Sequence, residues 1–246
     1  AVTAVQAGTR ETIFEEIRRR TLETDLSVPV RDGDWWYLTR TAEGKDHPIQ
    51  CRVPDDGTHR AWDDDPANEQ VLLDLNELVA DDGYLGLGVL DVSPDGNWLA
   101  YALDRAGDER HELRIRDLRT GLDSAEAVAE VSYGFAWAAD SATCWYVLQD
   151  EASRPDRVLR HVVGTDPADD VLVHHETDEH FHVQVGASRS GALAVISIGS
   201  AVTSELWLLD AHHPATSPEL VTAREHGIEY SVAHHHSGLY ITSNRA

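Results

Sequence analysis

The sequence is poor in positive charge, in sulfur and in long apolar runs. Only 20 of its 246 residues are Lys or Arg, against 44 Asp or Glu, for a formal net charge of -24. That balance excludes a nucleic-acid partner, since binding phosphates requires a basic face, and it disfavours an anionic membrane surface in the same way. The acidity either keeps the protein soluble or draws in cationic peptides or metal ions. Cysteine occurs twice, as Cys51 and Cys144, far apart and each inside a strand-like run. A disulfide framework is therefore not indicated, and the expected compartment is a reducing cytoplasm. No run of 18 apolar residues exists, and the N-terminus lacks the basic start and apolar core of a signal peptide, so neither a spanning helix nor a leader is expected. Methionine is missing altogether, even at position 1; the expectation is that the chain is a fragment of something longer.

Catalytic signatures are missing too. A serine hydrolase of the α/β type carries G-x-S-x-G at a strand-to-helix turn. The nearest string, Gly186-Ala-Ser-Arg-Ser-Gly191, is one residue too long and falls on a predicted hairpin turn. "GLGVLD", from Gly86, has Asp91 where a dinucleotide fold needs its third glycine, and no βαβ setting. There is no P-loop and no HExxH. No catalytic residue, cofactor or metal is assigned, and substrate-binding residues are not identified.

What is present is repetition. "VRDGDWWYLTR", "SPDGNWLAYALD", "AADSATCWYVLQD", "SRSGALAVISIGS" and "HHSGLYITSN" align on Gly33, Gly96, Ser141, Gly191 and Gly238, at steps of 63, 45, 50 and 47 residues. In the second of these, Ser-Pro-Asp-Gly supplies turn chemistry and Trp98 to Leu103 reads as a strand buried on both faces. Each unit carries a second strand ("PIQCRVPDDG", "ELRIRDLRTG", "RVLRHVVGTD", "SELWLLDAHHP") and a further apolar stretch leading to the next turn. Three to four strands per period of roughly 40 to 50 residues is the grammar of a β-propeller blade. A β-sandwich is the rival arrangement. The units amount to four blades and the start of a fifth, so the fold class is all-β, an incomplete propeller of four-stranded antiparallel blades. Trp35, Trp36, Trp98, Trp137, Trp145 and Trp207 are expected to pack between blades.

Ahead of the first blade, Thr9 to Leu22 reads as a helix. Thr9 is its expected cap, Glu11, Glu15 and Glu16 favour its first half, and Arg18 to Arg20 suit its end. Ile13, Phe14 and Ile17 form a narrow apolar stripe with no obvious place in a propeller. The expected division is a helical segment, 1–27, and a partial propeller, 28–246. His180 and His182, two apart, would share a face on a strand and could hold zinc with His174 or Glu176; the alternative is a solvated loop and edge strand. Asp108, Glu109 and Arg110, like Glu151, Arg154 and Asp156, lie in loops where charges are ordinarily solvated or meet a partner.

The ordered series "IFEEI…TDLSVPVRDGDWWYLTR", "EGKDHPIQCRV", "EQVLLDLNELVADDGYLGLGVLDVSPDGNWLAYALDRAGDERHELRIRDLRTG", "YGFAWAADSATCWYVLQDEASRPDRVLRH", "VGASRSGALAVISIGSAVTSELWLLDA" and "GIEYSVAH" resembles the N-terminal half of the oligopeptidase B (protease II) branch of the prolyl oligopeptidase family of serine peptidases. The resemblance covers nearly the whole chain. It implies a seven-bladed propeller over an α/β-hydrolase domain that carries Ser, Asp and His, cleaving short peptides after Arg or Lys while the propeller limits access. None of those three catalytic residues falls within this sequence. The resemblance also implies that the helix packs on that absent C-terminal domain, giving Ile13, Phe14 and Ile17 a surface to bury against. Rival expectations are a non-catalytic propeller that binds a protein or peptide, and the metal-binding β protein using His180 and His182.

Overall fold

The computed structural model describes residues 6–55, 57, 68–79 and 83–245. By internal packing the chain divides into two compact units, Ala1–Asp82 and Gly83–Ala246.

The first unit opens with helix α1 (Ala7–Arg20). It begins two residues earlier than the sequence pattern suggests, and Thr9 lies inside it. The N-cap position is Gln6, with no side-chain cap bond, so Thr9 is not the cap. Ile13, Phe14 and Ile17 are 51, 56 and 59% exposed. Strands β1 (Asp25–Leu26) and β2 (Val30–Asp32) both pair antiparallel with β3 (Trp35–Thr41). They act as one inner strand interrupted at Pro29, which has no N–H to offer a ladder. Gly33, at φ +55°, closes the β2–β3 hairpin in a conformation that costs a glycine little. β4 (Ile49–Pro54) and β5 (Gln70–Asp74) complete the sheet in chain order. Leu38, Cys51 and Val53 form its core. The long first step of 63 residues follows from the fifteen-residue link between β4 and β5.

In the second unit, β6 (Gly86–Val92), β7 (Trp98–Asp104), β8 (His111–Asp117) and the first half of β9 (Leu122–Trp137) pair in sequence. Past Val131, β9 changes partner. Its second half pairs with β10 (Thr143–Gln149), which continues to β11 (Pro155–Val162) and β12 (Val171–His175). One strand of 16 residues is thus the outermost of one blade and the innermost of the next, and Glu130, at φ +63°, marks the switch. The following blade is β13 (His182–Ala187), β14 (Leu193–Gly199), β15 (Ser204–Asp210) and β16 (Glu219–Thr222). A hairpin of β17 (Tyr230–His235) and β18 (Gly238–Ser243) ends the described chain. All five aligned turns are antiparallel hairpin turns, and the sheets do not close. The fold is an incomplete β-propeller with an N-terminal helix, not a sandwich.

Alternation along β10 explains how blades stack. Cys144 and Tyr146 face a core with Ala100, Ala102, Leu113 and Ile115 of the preceding blade. Trp145 and Val147 face Val183, Val185, Ile196 and Leu209 of the following one. A strand buried on both faces reads as a continuous apolar run, as "CWYVL" does. Trp137 and Trp145 are buried between blades. Gly134 lets β9 and β13 approach: a β-carbon there would lie 2.8 Å from the Val185 nitrogen.

Candidate functional site at the loop end of the blades

Because strands alternate in direction, the link from a blade's second to third strand and the link to the next blade emerge at the same end. In the second unit that end collects the loops after β7, β10, β12, β14 and β16. Each loop is built from its own side chains. Asp104, buried at the end of β7, accepts amide hydrogens from Ala106 at 2.8 Å, Gly107 at 2.7 Å and Glu109 at 2.9 Å. Burial alone would raise its pKa, but those donors outweigh it and hold the carboxyl below its ordinary value. Asp150 occupies the equivalent place after β10. The amides of Arg154 and Ala152 donate to it at 3.0 and 2.8 Å, and together with the Arg154 guanidinium they keep its carboxyl low.

Neighbouring loops are then latched by arginine. Arg110 donates to the carbonyls of Asp150 at 3.2 Å and Glu151 at 3.1 Å, to the Ser153 hydroxyl at 3.1 Å, and pairs with Glu130. Arg154, at the matching position one blade on, donates to the carbonyls of Phe181 at 3.0 Å, Glu176 at 3.2 Å and Asp178 at 3.3 Å. In the next blade Thr203 takes that position, its hydroxyl accepting from the Gly227 amide at 3.1 Å. Beyond it, Arg224 pairs with Glu176 and Glu205 and lies 4.1 Å from the Phe181 ring centre. The expectation of solvated charges fails for Arg154 and Asp156. Their side chains are only 12 and 7% exposed, and Asp156 sits 2.9 Å from Arg157 and 3.4 Å from His175.

At the opposite end, Asp95 and Asp140 cap the hairpin turns by accepting from Asn97 and from Ala142 and Thr143. Ser188 and Ser190, from the string nearest to a nucleophile motif, sit in the β13–β14 hairpin turn; Ser190 bonds His234 Nδ1 at 2.7 Å on an exposed surface. There is no strand-to-helix setting around them.

The zinc alternative does not assemble. His182 opens β13, but His180 lies outside that strand, 88% exposed and bonded to Asp178 at 2.7 Å. His174 packs near Trp207 and Glu176 is taken by Arg224. Among the described residues no group of three or more His, Cys, Asp or Glu side chains could hold a metal ion. Both cysteines are free and buried. Burial, with the Glu69 charge beside it, pushes the Cys51 thiol up to about 12, and burial raises Cys144 as well. Neither thiol is a nucleophile at neutral pH. Among the described residues no helix is long and apolar enough to cross a membrane.

Residues 1–246 match the family described as "Prolyl oligopeptidase, N-terminal beta-propeller domain". The chain belongs to the prolyl oligopeptidase family. Among curated relatives, dipeptidyl aminopeptidase BI of Pseudoxanthomonas mexicana is 35% identical over 245 residues, covering 95% of this chain and 33% of the relative. Protease 2 of Moraxella lacunata is 34% identical over 236 residues, covering 95% and 34%. Among solved structures, oligopeptidase B from Leishmania major superposes with a TM-score of 0.91 at 27% identity over 99% of this chain and 34% of that one. Oligopeptidase B from Trypanosoma brucei, closed with covalently bound antipain, gives 0.88 at 29% over 99 and 34%. The chain spans about a third of the length of these prolyl oligopeptidase relatives.

Sequence reading picks out Arg110 and Arg154 only as loop charges and misses both their latching role and the caps Asp104 and Asp150. The signal was there in "LDRAGDER" and "LQDEASRP": a strand, an Asp at its end, and an Arg just before the next strand.

Proposed function

We propose that this chain is the N-terminal propeller part of an oligopeptidase B-like serine peptidase of the cytoplasm, which cleaves short peptides after Arg or Lys. The observation that carries the reading is the superposition with oligopeptidase B over 99% of this chain at a TM-score of 0.91. In this reading Ser, Asp and His come from an α/β-hydrolase domain outside the sequence, so the chain alone turns over no arginyl amide. The helical segment 1–27 packs on that domain through Ile13, Phe14 and Ile17, apolar side chains that are more than half exposed here. The propeller, 28–246 and its continuation, acts as a filter: it admits short, flexible peptides and excludes folded proteins, whose backbones cannot reach the nucleophile. The loop end suits that task, because the Asp caps and Arg latches fix its shape.

The test is a hybrid in which this chain replaces the matching third of Protease 2 from Moraxella lacunata. The hybrid is expected to hydrolyse short peptides after Arg or Lys. A folded, soluble hybrid without that activity would contradict the proposal.

A further inference from the structure

Four arginines in the described chain lie over aromatic rings, and three share one plan. Arg116 lies 5.1 Å from the Tyr101 ring and is held by Asp123; Arg119 lies 5.7 Å from Trp98 and is held by Asp117; Arg224 lies 4.1 Å from Phe181 and is held by Glu176 and Glu205. A ring supplies its negative face and a carboxylate fixes the cation above it. At a further place a pair of rings and a carboxylate come together with no cation over the rings among the described residues.

It lies at the loop end of β6 and β9. Tyr84 and Tyr133 are 58 and 49% exposed, and neither hydroxyl has a hydrogen-bond partner among the described residues. Both rings are seated by glycines and by each other's neighbours. A β-carbon at Gly86 would lie 2.8 Å from the Tyr84 hydroxyl oxygen, and one at Gly107 would lie 3.7 Å from its ring. A β-carbon at Gly88 would collide with the His111 ring, which stacks edge-on against Tyr133 at 4.8 Å. "GLG", meaningless as a dinucleotide fingerprint, is thus a seat for aromatic side chains on an inner strand.

Glu109 supplies the carboxylate. Its backbone is held at φ +62° from both sides: its amide donates to the buried Asp104 at 2.9 Å, and its carbonyl accepts from Gln149 Nε2 at 2.7 Å. A left-handed non-glycine residue is strained, and it persists only where its surroundings over-determine it. Here they do so, and the side chain is left exposed and without an ion pair among the described residues. Gly107, two residues before Glu109, lies against the Tyr84 ring, and His111, two residues after it, lies against Tyr133; desolvation first, then the charge of Glu109, pushes the Tyr133 phenol up. Arg110, next in sequence, is engaged by Glu130, two carbonyls and Ser153.

We propose that Tyr84, Tyr133 and Glu109 form a binding site for a cationic side chain, guanidinium or alkylammonium, of a peptide that enters at the loop end of β6 and β9. As a substrate subsite it rests on the peptidase reading above. As a cation site it is read by binding alone, so the two can fail separately.

The chain is titrated, by calorimetry or NMR, with acetyl-Ala-Arg-Ala-amide and with the same peptide carrying neutral, isosteric citrulline. The arginine peptide binds at least several-fold tighter, and more weakly as salt rises. Tyr133→Phe keeps the affinity because the ring face remains. Glu109→Gln and Tyr133→Leu each weaken it by roughly threefold to tenfold. Tyr84→Leu does the same and serves if Tyr133→Leu lowers the thermal midpoint. Glu219→Gln, an equal charge change on the outer strand β16, leaves binding unchanged. Equal binding of the two peptides, no saturable binding, or equal effects of Glu109→Gln and Glu219→Gln would each overturn the proposal.

Discussion

At the scale of single residues, this protein spends buried charge on shaping loops. Arg154 satisfies three carbonyls that no strand can pair, and its guanidinium is nearly out of solvent. Removing one partner from such an arrangement leaves buried acceptors unmet. Arg154→Met is expected to lower unfolding free energy by about 2 to 4 kcal/mol, read as a shift in urea midpoint. Asp104 makes a prediction with a sign. Its folded pKa lies below the ordinary value, so its stabilisation is complete above the unfolded value of about 3.9 and disappears as pH falls through the lower folded one. Asp104→Asn should therefore be less stable than the parent chain by about 1 to 2 kcal/mol at pH 7. The gap should narrow only in acid, below about pH 4. A gap that stays constant from neutral pH to the acid limb of unfolding would show that the carboxylate charge is not what the loop uses.

At the scale of elements, the hairpins were legible and their junctions were not. Ser-Pro-Asp-Gly before Trp98–Asp104 carries its own turn chemistry, and "CWYVL" carries the mark of a strand buried on both sides, so both emerge as read. The boundary inside β9 has no such mark. "LDSAEAVAEVSYGFAW" contains no proline, and its one glycine, Gly134, serves close approach to β13, not the switch of partner at Glu130. Elsewhere the corresponding stretch is two strands, β12 then β13 and β16 then β17, because "ETDEHF" and "AREHGIE" are too polar to stay in a ladder. The arginine latches escaped for another reason: their acceptors are main-chain carbonyls, which every residue has, so nothing in the sequence distinguishes the recipients. Gly134 tests the junction. With a Val185 backbone atom 2.8 Å from its would-be β-carbon, Gly134→Ala must push two strands apart and should cost about 1 to 3 kcal/mol. Gly186→Ala, with nothing within 4 Å, should cost far less. Similar urea midpoints for the two variants would contradict the packing described for β9 and β13.

At the scale of the whole molecule, the net charge of -24 and the family combine into one physical expectation. On the proposed peptidase reading, the acidic field draws in cationic peptides, so the rate of their capture should fall as ionic strength rises while that of neutral peptides changes little. The proposal that the propeller filters by size draws on how its blades stack: their facing surfaces bury Trp145, Tyr146, Ile196 and Leu113, and blades packed in this way do not part readily. The most direct measurement compares one Arg-containing cleavage sequence in two settings, as a free octapeptide and as an exposed loop of a stable folded protein, using the Protease 2 hybrid. Hydrolysis of the octapeptide with the folded protein left intact is the predicted result. Comparable rates on both would contradict the claim that this chain restricts access.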